Sequence, residues 1–121
     1  MKIAMLTNNY RPFVGGVPVS VERQAKALRA LGHEVTVFAP DYGDGKNGDQ
    51  DPEEAYVVRC SCFKRKMSNG MVYPRVADRQ VRGAFEREGF DCVHVHQPVF
   101  AGNTALWLRK KYHIPVVYTW H

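Results

Sequence analysis

The chain holds 121 residues, 45% of them hydrophobic and 24% charged, which is the size of one ordinary domain and the composition of a globular one. No apolar run approaches the roughly 18 residues a membrane span needs. The start, Met1-Lys2-Ile3-Ala4-Met5-Leu6 followed at once by Thr7-Asn8-Asn9, lacks the apolar core of a signal peptide, so a cytoplasmic product is expected. Three cysteines, Cys60, Cys62 and Cys92, are too few and too odd in number for a disulfide scaffold. Net charge is +5, and six of the twelve acids fall in residues 41–55, leaving 16 Lys and Arg against 6 acids elsewhere. Such a surface attracts polyphosphates, acidic substrates or anionic headgroups, and nucleic acid is possible on charge alone, although no nucleic-acid partner is expected.

Residues 2–6 form a short apolar run ending in polar residues, the pattern of a strand buried on both faces. Pro12, Gly15, Gly16 and Pro18 then mark a loop that opens into a helix. Val17, Val21, Ala25 and Leu28 set its apolar stripe, Leu31 closes it, and Gly32 supplies a left-handed cap. Residues 34–39 are rich in β-branched and aromatic side chains and stop at Pro40, which predicts a second strand. The acidic stretch 41–55 is a surface loop. As a calcium loop starting at Asn47 it fails, with Pro52 where glycine is needed and Val58 where glutamate is needed.

A third strand is expected over 55–62, and a loop over 63–73 carrying Lys64-Arg65-Lys66 and Asn69-Gly70. A helix follows Pro74 through Glu88, with Ala77, Val81, Ala84 and Phe85 in register and Gly89 as its cap. Residues 91–96 form a fourth strand. Residues 99–112 form a third helix, whose Arg109, Lys110 and Lys111 suit a helix C-terminus, and 115–119 form a fifth strand. Strands alternating with helices predict a Rossmann-like, doubly wound parallel sheet of about five strands in three α/β/α layers. Ligands then belong at the C-terminal ends of the strands. A sheet that ends on a strand leaves an uncovered edge, so the chain is expected to be a fragment that tends to self-associate.

Gly15-Gly16 at a helix start favours an anion, because glycine lets backbone N–H groups approach and the helix adds roughly half a positive charge. A side chain at Gly16 is expected both to block that approach and to strain the turn. The dinucleotide fingerprint Gly-x-Gly-x-x-Gly and the phosphate-loop Gly-Lys-Ser/Thr are absent. Cys92, His94 and His96 alternate on one strand face, but positions two apart are splayed for a common ion, so no metal site is expected. Cys92 reads as buried core, while His94 and His96 near the ligand edge. His121, just past the fifth strand, stands where a side chain can meet a ligand in the crevice.

Taken together, Lys2-Ile3-Ala4-Met5, the segment Asn9-Tyr10-Arg11-Pro12 leading to Gly15-Gly16-Val17, Leu31-Gly32-His33-Glu34-Val35, residues 91–96, and Ile114-Pro115-Val116-Val117-Tyr118-Thr119-Trp120-His121 resemble the N-terminal domain of family 4 glycosyltransferases across essentially the whole chain. That resemblance implies a GT-B architecture, two Rossmann-like domains facing a cleft, with residues 1–121 on the acceptor side. It implies transfer of a sugar from a nucleotide-diphosphate donor with retention of configuration, and no cofactor or metal beyond that co-substrate. By the same resemblance Gly15 and Gly16 lie against the donor diphosphate, His121 is catalytic beside the transferred sugar, and Asn9, Tyr10, Asn69, Arg75 and His96 lie near the acceptor pocket. The expected acceptor is a lipid, small-molecule or polysaccharide hydroxyl, which these residues do not specify further, and a peripheral contact with the inner membrane face is compatible with the basic excess. The family's second domain, with its paired glutamates, is missing from these residues, so the isolated chain is expected to be inactive. A nucleotide-binding oxidoreductase domain and a non-catalytic binding module are the alternatives on topology alone.

Overall fold

Both faces of β1 (Lys2–Thr7) are apolar, and the strand accordingly takes the middle of a five-stranded sheet, its residues 4–7 fully buried. The computed structural model describes residues 1–7, 10, 16–40, 55–60, 62–66, 72–74, 77–96 and 102–119. β2 (Glu34–Pro40) and β3 (Val57–Cys60) lie on one side of β1, β6 (Cys92–His96) and β7 (Val116–Thr119) on the other, in the order β3-β2-β1-β6-β7. All four pairings are parallel. The chain steps outward from β1 in one direction and then resumes on the other side of it, which puts the topological switch point between β1 and β6.

The two faces are covered by different helices. On one, α1 (Gly16–Ala30) sets Val21 and Ala25 against Ile3, Met5, Val35, Val37 and Ala39. On the other, Val81 and Ala84 of α2 (Ala77–Glu88) and Ala105 and Leu108 of α3 (Gly102–Tyr112) pack on Ala4, Leu6, Phe38, Val93 and Val95. Phe38 meets Phe90 edge to face, centroids 5.9 Å apart, the arrangement that aromatic quadrupoles favour. The result is the three-layer α/β/α arrangement expected from the alternation of elements.

Both glycine caps are as predicted, and each has its own hydrogen-bond pattern. Gly32, at φ 95°, ends α1 in a Schellman motif, with His33 N–H donating to the Leu28 carbonyl at 3.1 Å and Gly32 N–H to that of Arg29 at 3.0 Å. Gly89, at φ 72°, ends α2 with a single bond from its N–H to the Phe85 carbonyl at 2.8 Å.

The structure departs from the sequence reading at two places. Leu31 does not close the stripe of α1; the helix ends before it and the side chain is 75% exposed. The third strand is shorter than 55–62, and what reads as loop beyond it holds a separate antiparallel pair, β4 (Cys62–Lys66) with β5 (Val72–Pro74). Asn69-Gly70 lies between those strands, and such a dipeptide between strand-forming residues is a hairpin signal in its own right.

Candidate functional site

Strand register brings together residues that are remote in sequence. Thr7 of β1 is level with His96 of β6, and His96 is level with Thr119 of β7. Each is the last residue of its strand, so the three form a row across the C-terminal edge of the sheet, straddling the switch point. All three lie on the α1 face, because Leu6, Val95 and Tyr118, one residue before each, pack into the opposite core. Thr7 and His96 are the polar residues fully buried among the described ones. A polar side chain buried in this way needs a partner to offset the loss of water.

A second histidine supports the row from below. His94, on the same face of β6, places its Nε2 2.6 Å from Thr119 Oγ1, and its ring lies over that of His96 with centroids 4.1 Å apart and planes tilted by 30°.

The β2 side of the same edge is built by Tyr10 and Arg59. Tyr10 is almost wholly buried in the α1-side core. The Arg59 guanidinium sits 5.5 Å from its ring centroid and donates to the Pro40 carbonyl at 3.0 Å, capping the end of β2. Gln80 of α2 in turn donates to the Arg59 carbonyl at 3.2 Å. A cation is thereby held at the end of the sheet where the fold class puts anionic ligands. Sequence reasoning put the end of the first strand, from Thr7 onward, at the ligand edge but did not single out Thr7, Arg59 or Thr119, since their significance depends on which strands become neighbours and in what register.

Of the residues expected at the site, Tyr10, Gly16 and His96 are described, and all three are placed at the C-terminal end of the sheet or at the start of α1. Gly16 is the first residue of α1, and a Cβ built there meets nothing within 4 Å. Its φ lies outside the left-handed region that L side chains avoid, so the expectation that a side chain strains this turn does not hold. What glycine offers at this position is room for a ligand against the helix start. Asn9, Gly15, Asn69, Arg75 and His121 lie outside the described residues.

Cys92 is partly buried against the α1-side core rather than fully within it. Burial, and secondarily the Asp91 carboxylate beside it, push its thiol above the ordinary range, which keeps it protonated and a poor nucleophile or metal ligand near neutral pH. Among the described residues, no three His, Cys, Asp or Glu side chains are grouped to hold a metal ion. No helix among those residues is long and apolar enough to cross a membrane.

Comparison with known proteins converges on one family. The sequence pattern of Glycosyltransferase Family 4 matches residues 14–121. The chain is 34% identical over 123 residues to an alpha-monoglucosyldiacylglycerol synthase of Acholeplasma laidlawii, covering 100% of this chain and 30% of that protein. It is 30% identical over 120 residues to a GDP-mannose-dependent alpha-mannosyltransferase of Mycolicibacterium smegmatis, covering 97% of this chain and 31% of that one. It therefore spans about three tenths of the length of these relatives. Among solved structures, the C-terminal domain of a hydrogenase from Pyrococcus furiosus superposes with a TM-score of 0.59 at 20% identity, covering 97% of this chain and 87% of that one. At that identity the likeness concerns the fold alone.

Proposed function

The chain belongs to glycosyltransferase family 4, and from that premise we propose that residues 1–121 form the acceptor-side wall of a sugar-transfer cleft whose other wall is a second Rossmann-like domain. The observation that carries this reading is the polar row Thr7, His96 and Thr119 at the switch point. It lies on the same face as α1, whose first residue is an unencumbered glycine. A nucleotide-diphosphate sugar is the donor. Its diphosphate lies against Gly15 and Gly16, where backbone N–H groups and the helix start favour negative charge. In the transfer, the bond between the sugar's anomeric carbon and the diphosphate oxygen breaks. A bond from that carbon to an acceptor hydroxyl oxygen forms, and the hydroxyl proton leaves with the nucleoside diphosphate or solvent.

In this reading His121 meets the charge that develops as the diphosphate departs, and the anomeric configuration is retained. Asn9, Tyr10, Asn69, Arg75 and His96 face the acceptor. Closing the cleft excludes water and strengthens each of these interactions.

A lipid acceptor is compatible with the basic surface of α2 and α3. Arg79, Arg87, Arg109, Lys110 and Lys111 are exposed on α2 and α3, together with Leu106 and Tyr112. Trp107 is clasped by the Arg82 guanidinium at 4.4 Å and the Lys111 ammonium at 5.0 Å. Each cation near an anionic leaflet contributes about 1 kcal/mol. A relative whose name is that of a diacylglycerol glucoside synthase agrees with a lipid acceptor.

The test is to incubate the longest protein its coding sequence specifies with a panel of UDP- and GDP-sugars and with diacylglycerol or a water-soluble alcohol as acceptor. Nucleoside diphosphate release should accompany a product whose anomeric configuration, read by NMR, matches the donor. An inverted product, or no turnover with any sugar of the panel, refutes the reading.

A further inference from the structure

His94 lies below the edge that meets ligand, two residues from the end of β6. At roughly 3.3 Å of rise per residue it is about 7 Å short of that edge, so it is not placed to touch a sugar or a diphosphate. Two features still set it apart from an ordinary half-buried histidine. The strand register pairs His94 with Val117, yet its Nε2 reaches past that partner to Thr119 Oγ1, two residues further along β7, at 2.6 Å. Its ring also lies over His96 at 4.1 Å between centroids.

β7 needs such a tie. It has four residues, it is the edge of the sheet, and it is paired only through β6 among the described strands. The face it shares with His94 is open, Val117 being 48% exposed. An edge strand of this length, with few buried contacts on one face, opens locally at low free energy, most easily at the end of its ladder with β6. Thr119 is that end, and Trp120 and His121 follow it directly.

We propose that His94 is a positioning residue for the transfer site: its bond to Thr119 holds the end of β7, and its ring fixes the orientation of His96. The catalytic consequence rests on the sugar-transfer reading given above; the positioning itself does not. Placing a reacting group to within a fraction of an ångström is worth large factors in rate, while releasing an edge strand changes global stability little.

Two single substitutions break the same bond from opposite sides. His94→Phe keeps a ring over His96 and removes the nitrogen; Thr119→Val keeps the branched shape and removes the hydroxyl. In the longest protein the coding sequence specifies, each should lower kcat for UDP- or GDP-sugar turnover on the order of tenfold and leave the donor KM within about twofold. The double variant should be no worse than either single, because both remove one bond. His94→Gln, which retains a side-chain hydrogen-bonding group for Thr119 but no ring, should recover the part of the loss that belongs to the bond.

A second readout needs no turnover. Long-range 1H–15N spectra of the 121-residue chain should show one His94 tautomer, averaged over two in Thr119→Val, with the His96 ring resonances moving in both single variants. Unmoved His96 resonances, or kcat losses that multiply in the double variant, overturn the proposal. A wild type that turns over no sugar while the spectra behave as described sinks the transferase reading and leaves the strand tie standing.

Discussion

The two ends of the parallel sheet treat polar groups in opposite ways. At the N-terminal end they are exposed and engaged in holding the backbone. Lys2 N–H donates to Asp91 Oδ2 at 2.8 Å and Asp91 N–H returns a bond to the Lys2 carbonyl at 2.7 Å, which clamps the start of β1 to the start of β6. Glu34 N–H donates to the Met1 carbonyl at 2.9 Å, and Gly32 and Gly89 turn the chain out of α1 and α2 at the same end. At the C-terminal end, Thr7 and His96 are buried in the sheet edge. We read the buried polar groups as marking the end proposed to meet ligand, and the solvated ones bonded to backbone as marking the end that supports the fold.

The largest expected effect is at the C-terminal end. In the longest protein the coding sequence specifies, His121→Ala should lower turnover by a hundredfold or more, about 2.7 kcal/mol or more in transition-state stabilisation, while a separate UDP or GDP titration shows donor binding spared. Near-normal turnover would remove this residue from the mechanism and with it much of the distinction between the ends.

Thr7→Val probes the buried hydroxyl with almost no change of shape. If the hydroxyl serves the site, turnover falls on the order of tenfold while stability falls by no more than the roughly 1–3 kcal/mol of a buried group that loses its partner. A melting temperature that drops with turnover intact would class Thr7 with the structural polar groups of the other end.

Gly32→Ala tests that other end. The left-handed φ of 95° disfavours any Cβ, although nothing stands within 4 Å of it. The cost should therefore be backbone strain alone, about 1 kcal/mol by chemical denaturation, with kcat unchanged.

These two ends were legible in the sequence to different degrees, for a physical reason. Gly32 and Gly89 cap their helices through contacts within a few residues, and the apolar runs of β1 and β6 state their own burial; local signals of this kind carried the five strands and their parallel arrangement. Leu31 misled, because helical spacing continues on paper past the residue where the Gly32 cap ends the helix. The β4–β5 pair was masked by Lys64-Arg65-Lys66, whose charge reads as loop although alternate positions of a hairpin tolerate it. At the site, His96 and the start of α1 were visible as motif residues. Thr7, Arg59 and Thr119 were not, because nothing local distinguishes a threonine that ends a strand from one level with a buried histidine on the neighbouring strand. Register decides that, and a single sequence does not state it.

The smallest effect is expected at the Lys2–Glu34 ion pair, and it sharpens the comparison by being nearly nil. The ammonium and carboxylate are 3.8 Å apart, with the side chains 40% and 75% exposed. Water and salt screen a pair this open, and holding two long side chains together costs rotamer entropy that offsets most of the attraction. Lys2 Nζ also donates to the Glu88 carbonyl at 3.2 Å, near the C-terminus of α2, where a cation is favoured whether or not Glu34 is present. Glu34→Ala should therefore change stability by less than about 0.5 kcal/mol in urea denaturation, and adding salt to the wild type should do no more. The backbone bond from Glu34 N–H to Met1 survives the substitution, so the strand keeps its register. A loss of 1.5 kcal/mol or more would mean that side-chain charge, rather than the backbone clamp, secures the supporting end of the sheet.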